Sequence, residues 1–176
     1  PDRFAVEASV AAAPESVSFP CITTEQGHTM DWYAKAFIRA SLLWFVLGIT
    51  LGLAMAIHPA WVVYRPAHAH MNLVGFVVMM IFGVGYQMLP RFFGHPIHSS
   101  ALASAHIWLA NLGLTGLVAG FMLAPVIGTA SVPVTAIGGS LWAIGAYGFA
   151  YNMWRTFDAA ERRRKLNAQH PNLPLS

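Results

Sequence analysis

Two histidines, His68 and His70, stand two residues apart in the stretch RPAHAHMNLVGF (residues 65–76), with Arg65 and Pro66 ahead and a long apolar run behind. An ionisable side chain inside such a run is costly to bury, which makes it a candidate functional group in need of a partner. An imidazole there can ligate a metal ion or a haem iron, or it can be held neutral by a hydrogen bond. Of the eight histidines, His106 also falls inside an apolar run, in ALASAHIWLANLG. His58 precedes the same polar break as His68, so His58, His68 and His70 share one level. His28 and His170 lie in polar tails, and His95 and His98 in the loop FFGHPIHSS, where solvated histidines are expected.

The elements that must position these residues follow from where charge is missing. The 176 residues are 56% hydrophobic and 10% charged, whereas ordinary soluble domains carry about 25% charge. No Asp, Glu, Lys or Arg occurs between Arg39 and Arg65, between Arg65 and Arg91, or between Arg91 and Arg155. A spanning helix needs about 20 residues. The last gap accommodates two spans, broken at LAPVIGTASVPV (residues 123–134) by two prolines and small polar residues. The sequence therefore predicts an all-α, integral membrane four-helix bundle with spans near 36–57, 67–89, 100–123 and 134–154. A polar tail (1–35) precedes the membrane domain (36–154) and a basic tail (155–176) follows it. All basic residues except Arg65 fall on the side of the termini, so the positive-inside rule places both termini in the cytoplasm of a multi-pass protein of the inner membrane. The net charge of +3 then reflects topology and calls for no nucleic-acid partner. The cluster ERRRK (residues 161–165) reads as a stop signal that also touches anionic headgroups. A single cysteine, Cys21, allows no internal disulfide.

Helical spacing separates the two histidines. At 100° per residue His70 aligns with Val74, Val77, Ile81, Val84 and Met88, and His68 with Asn72, Gly75, Met79, Phe82 and Tyr86. Side chains two apart diverge by about 200°, so both cannot face one pocket. His70, above an apolar face, is the expected ligand. With that wall, and with Arg65 for an anionic edge, it has the parts a protein-held haem b requires. Asn72, Val74 and Val77 join it as cofactor-binding candidates. Glycines at 48 and 52, at 113, 116 and 120, and at 138, 139, 145 and 148 predict close helix packing and could leave flat space for a macrocycle. His106 enters from the opposite surface and sits about 15 Å from the level of His70, so the two do not share one iron. Its structural alternative is a hydrogen bond to a carbonyl, Asn111 or Asn72.

From His70 onward, MNLVGFVVMMIFGVGYQMLPRF and then SSALASAHIWLANLG resemble a helix pair in the catalytic subunit of haem-copper oxidases, especially C-type oxidases and nitric oxide reductases. The matching residues are His70, Val74-Gly75-Phe76, Tyr86, Pro90-Arg91 and His106-Ile107-Trp108. More closely, the chain resembles small stand-alone four-helix relatives of subunit I, with Arg65, His68, His70, Asn72 and Gly75 as the shared signature. The resemblance spans residues 65–113. It implies a metal-ligating role for His70 but none for His106. The family's adjacent histidine pair and its late histidine-bearing helix have no counterpart here, so it does not imply oxygen reduction at a haem–copper pair.

The expected function is therefore haem b binding through His70, serving one-electron transfer or binding of a small gas (nitric oxide or oxygen), in a homo-oligomer or a larger membrane complex with a redox partner. A second expectation is a copper or zinc site built from His58, His68 and His70. A third is a non-catalytic accessory subunit of a respiratory complex.

Overall fold

A computed structural model describes residues 30–169. The greater part of the 1–35 tail, with Cys21 and His28, lies outside the described residues, as does His170. Among the described residues the chain is all helical and contains no strand. Three helical stretches are long and apolar enough to cross a membrane: Trp32–Ile57, Pro59–Phe93 and Ser100–Gln169. Helices of this composition next to lipid, and an apolar surface this extensive, describe an integral membrane protein.

The first stretch is α1 (Trp32–Ile57), which begins ahead of the expected boundary at residue 36. A 3₁₀ turn, Pro59–Tyr64, leads into α2 (residues 65–93). Pro66 sits in the first turn of α2, where its missing N–H costs nothing. The middle of α2 is not α-helical: Met71–Val78 is a π-helix, whose i→i+5 bonds widen each turn. α2 stops at Gly94, which takes φ 63°. Its N–H and that of His95 donate to the carbonyls of Arg91 and Pro90 at 3.1 Å, closing the end in the manner glycine favours.

The third stretch is folded into two arms, α3 (Ser100–Ile127) and α4 (Val132–Gln169), by a 3₁₀ turn at Gly128–Ser131. Ser99 caps α3 by accepting from the Leu102 N–H at 3.2 Å. α4 continues as helix well past Trp154, so the described part of the basic tail is helical.

Neighbouring helices run antiparallel. On α1 and α2, Gly48 lies against Asn72, Gly52 against His68, and Gly83 against Phe37 and Ile38. On α2 and α3, Gly75 meets Leu114, and Tyr86 meets His106. The α3–α4 contact is the tightest: Gly113, Gly116 and Gly120 face the backbone of Trp142, Gly138 and Thr135. The core at one end of the molecule is aromatic, with Tyr33, Phe37, Phe82 and Tyr86 all buried.

The flat space that the glycines could have left for a macrocycle is filled. Gly48 and Gly52 are slots for Asn72 and His68, Gly145 abuts His106, and Gly113, Gly116, Gly120 and Gly138 meet backbone, while Gly139 and Gly148 face only the side chains of Leu117 and Leu102. In this fold glycine serves close packing, as membrane helices use it.

Candidate functional site

The π-helix decides which faces of α2 point where. In a regular α-helix two successive steps of four residues drift by about 80°. Here the exposed large apolar residues fall at Leu73, Val77 and Ile81, and only afterwards at Val84 and Met88. The wide turns of 71–78 hold residues four apart in one row. His70 therefore stands above Val74 and Val78, both packed against the core, while Val77, Ile81, Val84 and Met88 form the next row, turned outward. The single wall expected beneath His70 is thus divided, because the α-helical period does not hold through the segment that carries it. Of the residues expected beneath His68, Gly75, Met79, Phe82 and Tyr86 are buried and Asn72 is partly exposed.

His70 and His68 leave α2 toward different neighbours. The His70 ring stacks on Phe121 of α3, with centroids 4.7 Å apart, and its Nδ1 is 2.8 Å from the Pro66 carbonyl oxygen. His68 fits against Gly52 of α1, and its Nδ1 is 2.9 Å from the Gly48 carbonyl oxygen. A carbonyl can only accept, so each bond needs the proton on Nδ1, which in the neutral ring leaves the lone pair on Nε2; His68 Nδ1 also lies 3.3 Å from Asn72 Nδ2. That tautomer, fixed by a carbonyl, is how metal-ligating imidazoles are ordinarily prepared. These orienting carbonyls, one of them a helix away, have no signature in residue types.

Asn72, the neighbouring cofactor-binding candidate, packs against Gly48 of α1. Its Nδ2 donates to the His68 carbonyl at 2.9 Å, satisfying an acceptor at the junction where the α-helical ladder gives way to the π-helix. Arg65 is exposed at the start of α2. His58 ends α1 and stacks on Trp61, with centroids 5.5 Å apart. Among the described residues no three His, Cys, Asp or Glu side chains come together as a metal-holding group. His58 does not share the level expected for it: Gly52 lies against His68, and His58 follows six residues, about 9 Å, farther along α1.

His106 occupies a separate site. It is 1% exposed, and its ring lies 4.7 Å from both Phe37 and Phe82. Its Nδ1 is 3.0 Å from the Tyr86 hydroxyl, and its Nε2 is buried with no hydrogen-bond partner among the described residues. The expected partners Asn111 and Asn72 are both engaged elsewhere: Asn111 donates to Ile107 O at 2.8 Å. The run of α3 from His106 to Phe121, which marks the level of His70, measures about 22 Å. This is longer than the separation the sequence suggests, because α3 runs on to Ile127, beyond the expected end at residue 123.

No family model matches the chain. It is similar to the Cbb3-type cytochrome c oxidase subunit CcoN1 of Stutzerimonas stutzeri, 33% identical over 119 residues that cover 53% of this chain and 25% of that protein. It is also similar to cytochrome c oxidase subunit 1 of Rhodobacter capsulatus, 31% identical over 114 residues, or 51% of this chain and 21% of that protein. The chain thus spans a quarter or less of the length of these curated relatives, and about half of it is related to subunit I of the haem-copper oxidases.

Proposed function

We propose that this chain is a redox component of the inner membrane that binds haem b through His70, and that it serves one-electron transfer or the binding of a small gas. In this reading α1, α2 and both arms of the third stretch each cross the bilayer, with the termini in the cytoplasm. The observation that carries it is the His70 imidazole, whose Nδ1–H is committed to the Pro66 carbonyl, so that the Nε2 lone pair is presented from a partly exposed position. The relation to oxidase subunit I supports a redox role.

The residues present fit a haem on one side. His70 would supply the ligand atom, Phe121 packs against its ring, and Arg65 would offer charge for the propionates. Apolar surface is available on the outward row of Leu73, Val77 and Ile81. The described residues do not enclose a haem there, so a second copy or a neighbouring subunit would have to cover the other face. When bound, a b-type haem supplies a one-electron couple or an open iron position for a diatomic gas. The chain's own part is to hold the imidazole tautomer, exclude water with apolar side chains and compensate anionic charge at Arg65.

Optical spectra of the purified, haem-reconstituted protein test this. A Soret band and a dithionite-induced α band are expected, both lost in His70→Ala. Both should persist in His106→Leu, whose site lies about 22 Å away along the helix. Absence of a Soret band in the parent protein rejects haem binding and leaves a non-catalytic relative of the oxidase subunit.

A further inference from the structure

At the end of the molecule away from His70, the turn between α2 and α3 meets the charged part of α4 in a cleft of about 420 Å³. His95 and His98 line it from the turn, and Arg155, Asp158, Arg162 and Arg163 from α4. The α4 residues are spaced 0, 3, 7 and 8, which places them on one helix face. Three guanidinium groups against one carboxylate leave the cleft positive even with both imidazoles neutral.

The cleft is preformed. Three hydrogen bonds lock the turn to α4: His98 N–H to Thr156 Oγ1 at 3.0 Å, Ser99 N–H to Asn152 Oδ1 at 3.0 Å, and Asn152 Nδ2 to Ser99 O at 2.8 Å. Asn152 and Thr156 are completely buried, so these bonds are sheltered from water. Lys165, by contrast, is paired with Glu161 at 2.8 Å and Arg164 does not line the cleft. Arg155 and Arg162 stand two helical turns apart, about 10 Å along the axis.

We propose that this cleft binds a phosphate-ester anion, the headgroup phosphate of an anionic membrane lipid. Guanidinium groups match phosphate oxygens in geometry and charge. The depth of the cleft favours a lipid. It opens just past Tyr151 and Trp154, both largely exposed, and aromatic side chains of this kind mark the boundary between bilayer and water. The same chemistry would accept free phosphate or a soluble phosphoester, and the test separates the two sources.

Native mass spectrometry of the full chain, with phosphatidylglycerol, phosphatidylcholine or inorganic phosphate added separately, reads the outcome. Phosphatidylglycerol should be retained over phosphatidylcholine. Arg155→Gln/Arg162→Gln should weaken that retention about tenfold or more, the loss expected for charge-assisted hydrogen bonds. Arg39→Gln/Arg164→Gln removes the same charge outside the cleft and should leave retention nearly unchanged. Equal loss in both pairs would mean that overall charge holds the lipid, and would overturn the site. Retention of inorganic phosphate, lost in the cleft pair and absent for phosphatidylglycerol, would keep the chemistry and assign a soluble source. Retention of neither anion would overturn the proposal. All four arginines are exposed, and an unchanged melting temperature in each pair checks that folding is intact.

Discussion

At the scale of single residues, the least forgiving position is His106. Its Nδ1 has one partner, the Tyr86 hydroxyl, its Nε2 has none among the described residues, and aromatic rings close the remaining sides. Removing the hydroxyl leaves a second buried nitrogen unpaired, which costs about 1–3 kcal/mol. Tyr86→Phe should therefore lower the melting temperature in detergent, read by tryptophan fluorescence. Tyr86→Phe/His106→Leu should be less destabilised than the two single changes together, because it removes both polar partners. Simple additivity in that cycle would mean the hydrogen bond contributes nothing. The pairing was not legible in the sequence: Tyr86 and His106 lie on different helices, and only the phase of each helix brings them together. What could be read was that Tyr86 shares a face with Met79 and Phe82, which lie beyond the π-helical segment at α-helical spacing and are buried with it.

At the scale of elements, glycine works by position rather than by number. A Cβ on Gly138 would run into the backbone of Gly116 and Leu117, which cannot yield without parting α3 from α4. On the adjacent Gly139 it would meet only the Leu117 Cδ1 at 3.5 Å, an ordinary contact. Gly138→Ala should destabilise the fold by about 1–3 kcal/mol, as overpacking does. Gly139→Ala should be neutral or stabilising by up to about 1 kcal/mol through helix propensity. Thermal melts of the two variants check this, and similar behaviour of both would contradict the packing described. The all-helical, membrane-type character was legible because uncharged runs of this length have few other solutions. The contrast between Gly138 and Gly139 was not, since it depends on the approach of a neighbouring helix. The π-helical segment was equally hidden, for MNLVGFVV has the composition of any apolar helix.

At the scale of the whole molecule, the start of α1, the α2–α3 turn and the charged end of α4 gather at one end. There the Asp31 N–H donates to Gln87 Oε1 at 3.2 Å, and the turn is bonded to Thr156 and Asn152. The 3₁₀ turn with Trp61 lies at the other end. With Cys21 changed to Ser, Ala168→Cys should react with a membrane-impermeant maleimide only from the cytoplasmic side, and Ala60→Cys only from outside. Labelling of both from one side would reject the four-span arrangement. Along α2 the two ends are coupled through an odd spacer. Each i→i+5 ring in 71–78 encloses one residue more than an α-helical ring. Loss of one residue there would keep the helix yet swing everything beyond it by about 100°. The histidine pair would stay in place and Tyr86 would leave His106. When relatives are aligned, the parts of α2 before Met71 and after Val78 must therefore be compared as two separately phased segments, because a gapless match across them need not mean the same face.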